Sequence, residues 1–216
     1  MNFISPVGTY VYEMETGISY AKLLLENAYS FVIVNCKDLS KTVSVLKKLP
    51  REYNIIAHLD VRQTYNYNGS EKTMEAAFGI LYDFVDAFLI SSIDSLSDDV
   101  DSLLSLRMYN DEYRPIILDV PSDILYADLD EILKYSVMSN VDGCLISNPR
   151  LLKYANEKYP GYLCLIAGNV RSEEIMLQTQ KDGASLFCTN SARMTAIGLI
   201  RLGRQLLRKL HKDSSL

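Results

Sequence analysis

Short apolar runs recur along the whole chain, and each is followed by a stretch in which apolar residues return every three or four positions. The runs are 3–10 (FISPVGTY), 30–35 (SFVIVN), 54–60 (NIIAHLD), 85–91 (VDAFLIS), 114–120 (RPIILDV), 141–147 (VDGCLIS), 162–168 (YLCLIAG) and 184–190 (ASLFCTN). Near-continuous apolar runs of this length suit parallel strands buried on both faces. Between them, Ile18, Ala21, Leu24, Leu25 and Ala28 share one helical face, as do Leu39, Val43, Leu46 and Leu49. Leu199, Leu202, Leu206 and Leu210 form the stripe of a last helix over 191–212. Ser172 before Glu173-Glu174 and Ser70 before Glu71 read as helix starts, because acids in a first turn meet the positive end of the helix dipole. Strand alternating with helix implies right-handed crossovers and a parallel sheet. Eight repeats point to an α/β fold, a single closed (β/α)8 TIM barrel, with an open doubly wound sheet as the structural alternative. No linker or composition shift divides the chain, so residues 1–216 are read as one domain.

Composition narrows the function classes. Hydrophobic residues are 48 % of the chain and charged residues 23 %, the balance of an ordinary soluble globular protein. The net charge is −5 and there is no strong basic patch, so a nucleic-acid partner held through its phosphates is not expected. No apolar run reaches the roughly 18 residues of a membrane span, and no membrane partner is expected. The stretch MNFISPVGTY has neither a charged n-region nor an apolar h-region, so no signal peptide is expected and the cytoplasm is the expected location. Cys36, Cys144, Cys164 and Cys188 are far apart without CxxC spacing, which predicts reduced thiols rather than disulfides. His58 and His211 are too few for a His-based zinc site, and no metal is expected.

Chemistry in such barrels sits at the C-terminal ends of the strands. The residues there are Tyr12 and Glu13, Asn35, Asp60, Ser91 and Asp94, Asp119, Asn148, Gly168 and Asn169, and Asn190 with Ser191. Tyr12, Asp60, Ser91 and Asp119 are the pocket candidates. Glu13, Asp60, Asp94 and Asp119 would raise one another's pKa, or invite a divalent cation, if they converged. The expectation is that most splay into solvent. His58, inside the third strand, is read as a core or barrel-mouth residue. Many barrels hold a phosphate between the loops after strands 7 and 8, where backbone N–H groups and a helix N-terminus face the anion. Gly168, Asn169, Asn190 and Ser191 are the candidate cradle for a small phosphorylated or anionic ligand, with Arg171 and Arg193 to supply charge. The other reading is a plain left-handed turn beside two surface arginines.

Four stretches carry a resemblance. They are SPVGTYVYEMETG (5–17), RPIILDVPSD (114–123), YADLDEILKYSVMSNVDGCLISN (126–148) and LIAGNVRSEEIMLQTQKDGASLFCTNSA (165–192). In order and spacing they resemble the dihydroorotate dehydrogenases, the FMN-dependent barrels of pyrimidine biosynthesis. The resemblance implies a TIM barrel, an FMN cofactor, an oxidoreductase that converts dihydroorotate to orotate, and a substrate-binding role for Asn148. Several family positions differ here. The lysine that stabilises the reduced flavin falls on Asp119, a reversal of charge. The small residues that let the flavin ring lie against backbone fall on Tyr10, Val11 and Tyr12. A second lysine falls on Glu15, and one glycine of the phosphate pair falls on Asn169. The loop that carries the family's base is short here (Ser92, Ile93, Asp94, Ser95), and no catalytic residue is assigned. A carboxylate beside a flavin that is anionic when reduced would oppose that charge. These differences predict a short, diverged member with lost or altered flavin redox chemistry. Such a possible pseudoenzyme would bind a ligand or a partner protein and carry no stoichiometric FMN. One alternative is the family's own reaction with a looser flavin site. The other is a phosphate-ligand lyase or decarboxylase, since Asp60-Val61-Arg62 with Tyr65 resembles the D-x-K-x-x-D of orotidine-phosphate decarboxylases. There the lysine's place is taken by an arginine, which does not release its proton at neutral pH.

Overall fold

The eight apolar runs form the eight strands of one closed, parallel barrel. The computed structural model describes residues 6–11, 18–27, 29–49, 54–91, 104–105, 108–109, 112–190 and 195–213. The barrel strands are β1 (Val7–Val11), β2 (Phe31–Asn35), β3 (Asn54–Asp60), β4 (Ala87–Ser91), β5 (Ile116–Val120), β6 (Gly143–Ile146), β7 (Cys164–Ala167) and β8 (Leu186–Asn190). Each pairs with its successor, and β8 closes on β1 with Val7 opposite Phe187 and Tyr10 opposite Asn190. Followed once around the barrel, the registers accumulate a shear of eight residues. That value, with eight strands, leaves a lumen just wide enough for side chains to fill.

Successive residues of a strand point to opposite faces, so each strand feeds two cores. Val32, Val34, Ile55, Phe88, Leu118 and their neighbours face outward and pack in the layer shared with the helices. Phe31, Ile33, Ile56, Leu89, Ile117 and Ile166 face inward and fill the lumen. Burial on both faces is why the runs are continuous rather than alternating.

The described helices are α1 (Ile18–Asn27), α2 (Leu39–Leu46), α3 (Met74–Leu81), α4 (Tyr126–Met138), α5 (Pro149–Lys158), α6 (Glu173–Lys181) and α7 (Ala196–Asp213). Ser172 caps α6 as expected: its hydroxyl accepts from the Ile175 N–H, and Glu173 and Glu174 occupy the first turn. Along α7, Leu199, Leu202 and Leu206 are buried, while Arg204 on the exposed side donates to the Asn27 carbonyl at 3.2 Å and to its Oδ1 at 2.8 Å.

Ser70 is not a helix start. Residues Tyr65–Tyr67 and Ser70–Lys72 pair as an antiparallel hairpin. Asn68 and Gly69 both have positive φ, 51° and 79°. An Asn-Gly pair in that conformation makes the tight turn whose twist matches a hairpin. Helix α3 begins later, at Met74, capped by Thr73, whose hydroxyl accepts from Ala76 N at 3.4 Å. Tyr65 in the hairpin is buried, with its hydroxyl donating to the Asp60 carbonyl at 2.9 Å. A second short hairpin, Met108–Tyr109 with Glu112–Tyr113, precedes β5. The four cysteines are free thiols; Cys36, Cys144 and Cys188 are buried and Cys164 is half-buried. No described helix is long and apolar enough to cross a membrane.

Candidate functional site at the barrel mouth

Parity along the strands decides which polar residues enter the lumen. His58 follows Ile56 by two, Ser91 follows Leu89, Asp119 follows Ile117, and Asn190 follows Cys188; all four reference residues belong to the lumen core. The C-terminal mouth therefore receives an imidazole from β3, a hydroxyl from β4, a carboxyl from β5 and an amide from β8, opposite the phenol of Tyr10 on β1.

Three of these groups form a chain. The Tyr10 hydroxyl is hydrogen-bonded to His58 Nδ1, and the two rings meet edge to face with centroids 5.5 Å apart. His58 Nε2 lies 2.8 Å from Ser91 Oγ. Burial pushes the His58 pKa down to about 4, against the smaller opposing pull of the Asp60 carboxylate, so the imidazole is neutral at neutral pH. A neutral imidazole has one donor and one acceptor nitrogen, which gives the Tyr10–His58–Ser91 chain a single direction. Tyr10→Phe would strand Nδ1 in the lumen. The expected cost is about 1–3 kcal/mol of unfolding free energy in a urea titration. A neutral result would mean that water, not Tyr10, serves His58.

Asp119 stands apart. Among the described residues its carboxyl has no hydrogen-bond partner, and burial pushes its pKa up to about 7. The Cys188 thiol on β8 is raised first by burial and then by the charge of Asp119, so the two lumen residues lie within electrostatic reach of each other. A carboxyl with a pKa near neutrality serves equally as proton donor and acceptor.

At the ends of β7 and β8, Gly168, Asn169 and Asn190 do come together. Asn190 Nδ2 donates to Asn169 Oδ1 at 3.0 Å, and Asn169 has a φ of 56°. The Gly168 N–H is held by the Ile146 carbonyl and the Val170 N–H by the Cys188 carbonyl, both at 3.0 Å. The intervening N–H of Asn169, and that of Arg171, have no partner among the described residues. A Cβ on Gly168 would stand 2.3 Å from Ser147 Oγ, so any larger residue displaces that side chain.

The other candidates do local work or lie elsewhere. Asp60 sits at the rim and accepts from Arg62 N at 2.9 Å and Gln63 Nε2 at 3.4 Å. Arg62 is exposed and Tyr65 packs outside the barrel, so Asp60, Arg62 and Tyr65 do not gather in the lumen. Asn148 caps α5: Oδ1 accepts from Arg150 N at 3.0 Å and Nδ2 donates to the Ser122 carbonyl at 3.1 Å. Tyr12, Glu13, Glu15, Ser92 to Ser95, Ser191 and Arg193 lie outside the described residues. Among the described residues no cluster of His, Cys, Asp and Glu could hold a metal ion. Ser147 and Cys188 reach the mouth unforeseen; counting in twos from Leu145 and Leu186 would have placed them there.

No family model and no curated protein matches this sequence. Solved structures do match in shape. A dihydroorotate dehydrogenase from Eimeria tenella in complex with ferulenol aligns with a TM-score of 0.72 at 11 % identity, covering 99 % of this chain and 83 % of that one. A native KDPGal structure aligns with a TM-score of 0.70 at 9 % identity, over 100 % of this chain and 99 % of that one. Orotidine 5′-phosphate decarboxylase from Pyrococcus horikoshii OT3 aligns with a TM-score of 0.65 at 15 % identity, over 93 % and 98 %. At such identities the likeness establishes the TIM-barrel fold alone, and dihydroorotate dehydrogenase is one likeness among several.

Proposed function

We propose that this chain is a diverged relative of the dihydroorotate dehydrogenases that binds a small anionic ligand at the C-terminal mouth without flavin redox chemistry, with Asp119 exchanging a proton with that ligand. The observation that carries the reading is the carboxyl of Asp119, turned into the lumen with no hydrogen-bond partner among the described residues. The carboxyl is half-buried and open to the mouth, so a ligand there can complete its hydrogen bonding. Protonated, Asp119 donates to an anionic oxygen; ionised, it repels the same group. The partnerless N–H groups of Asn169 and Arg171 are the donors for the anion's far side, with the Arg171 guanidinium two residues from the turn.

The same residues are a poor fit for FMN. The Tyr10 ring occupies the lumen and is tied to His58, and Asp119 would set a negative charge against an anionic reduced flavin.

Inorganic sulfate is a suitable probe because its charge is constant near pH 7. Sulfate should shift the backbone NMR signals of Asn169, Arg171 and Asn190. Its affinity should fall by up to about tenfold per pH unit above 7 as Asp119 ionises. Asp119→Asn, neutral and still a donor, should keep the binding and lose the pH dependence. FMN added under the same conditions should keep its fluorescence unquenched. Sulfate that shifts nothing at the mouth, or binds equally at pH 6 and pH 9, overturns the reading.

A further inference from the structure

The N-terminal end of the lumen is filled on one side and empty on the other. On the β1–β2 side, Phe31 occupies the space a side chain at Gly8 would need; a Cβ there would lie 2.1 Å from its ring. On the β5–β8 side the lumen residues are Ile117, Cys164 and Leu186, and the short Cys164 leaves room between the two larger ones. Gly143 is closed over by backbone, since a Cβ there would press to 2.5 Å on the Cys164 carbonyl, and the open space lies beside the short side chain of Cys164. The result is a cavity of about 380 Å³. Its apolar wall is Pro115, Ile117 and Leu186, and its polar edge is Asp142, Cys164 and Ser185, with Tyr113 beside Asp142. The volume falls within the roughly 300–1,000 Å³ of small-molecule sites.

The edge has a defined polarity. Asp142 Oδ2 accepts from the Ile116 N–H at 2.9 Å, and Oδ1 accepts from the Tyr113 hydroxyl. Each carboxylate oxygen has a further lone pair, so the group can take one more donor from inside the cavity. Ser185 Oγ donates to the Leu165 carbonyl at 3.4 Å and lies 3.4 Å from Cys164 Sγ, so neither side chain brings a charge to the edge. The cavity thus combines an apolar wall with one negative, acceptor-only group.

We propose that this cavity is a second ligand site, distinct from the mouth, for a small flat aromatic molecule that is neutral or singly positive and turns an N–H group toward Asp142. Apolar burial against Pro115, Ile117 and Leu186 supplies the attraction, and Asp142 supplies the selection: it rewards a donor and repels an anion. Leu145 and Ile166 belong to the lumen core between the two ends, so occupation of one end does not require the other.

Cys164 makes the site measurable in the unaltered protein. It is half-buried at the cavity, whereas Cys36 and Cys144 are fully buried and Cys188 nearly so. Monobromobimane, a small uncharged thiol reagent, should label Cys164, identified by peptide mass spectrometry. Indole or tryptamine at saturation should slow that labelling about tenfold, and indole-3-acetate at the same concentration should not. Protection by none of the three, or equal protection by the anion, overturns the proposal. If Cys164 resists the reagent, indole is titrated directly against the backbone NMR signals of Cys164 and Ser185. Saturable shifts there, absent with indole-3-acetate, support the site; unshifted signals overturn it.

Discussion

Asp119→Asn should make the protein lose stability on acidification between about pH 6.5 and pH 4, and His58→Gln should make it lose stability on alkalinisation over the same range, each relative to the parent chain. The two groups are perturbed in opposite directions. Asp119 is raised by burial from 3.8 to about 7, so between those values the folded state holds a proton the unfolded chain has released. Its contribution is complete below the unfolded pKa and is lost as pH rises through 7. His58 is lowered by burial from 6.5 to about 4, so in that window the unfolded chain holds a proton the folded state refuses. Its contribution is complete above pH 6.5 and is lost as pH falls toward 4. From pH 4 to 6.5 the slopes oppose and nearly cancel in the parent, and either substitution uncovers the other. At about 1.36 kcal/mol per unit, the full windows are worth roughly 4 kcal/mol for Asp119 and roughly 3 kcal/mol for His58. Above pH 7 the Asp119→Asn variant should be the more stable protein. Urea unfolding at half-unit pH steps reads this directly; variants whose profiles run parallel to the parent would place both side chains in solvent.

Phe88→Ala should cost about 3–5 kcal/mol, the range for emptying a well-packed aromatic site. Phe88 is fully buried on the outer face of β4 and stacks on Phe78 of α3, with centroids 3.9 Å apart and planes 23° apart. For a chain of this size the midpoint of thermal unfolding should drop by roughly 10 °C. Ile197→Ala, at a residue 71 % exposed, is the control and should change stability by no more than about 0.5 kcal/mol. A loss below about 1 kcal/mol for Phe88→Ala would mean that the layer between α3 and the barrel collapses readily around the gap.

The barrel strands were legible because a strand buried on both faces leaves an apolar run that nothing else in this composition imitates. The hairpin at 65–72 was not, because capping and hairpin signals share residues. Ser70-Glu71 has the form of a helix start, yet Asn68-Gly69 just before it dictates a turn back on the preceding strand. At the mouth, Asp119 and Ser91 could be placed at strand ends, and parity from Ile117 and Leu89 turns them inward. The Tyr10–His58–Ser91 chain could not be read, since its partners lie 48 and 33 residues apart and meet only when the barrel closes. The raised pKa of Asp119 has the same origin, for it is the closed barrel that half-buries the carboxyl. The basal cavity left a faint trace: Cys164 opens β7 and Ser185 stands just before β8, two small residues beside the larger Ile117 and Leu186.

Asp119 itself offers the sharpest measurement. Its side-chain carboxyl carbon, followed by ¹³C NMR between pH 4 and pH 9 and assigned by the signal missing from Asp119→Asn, should titrate with a midpoint near 7. Saturating sulfate should move that midpoint upward, because an anion at the mouth favours the protonated form. A midpoint near 4, unmoved by sulfate, would show an ordinary solvated carboxylate and contradict a proton-exchanging ligand site in the lumen.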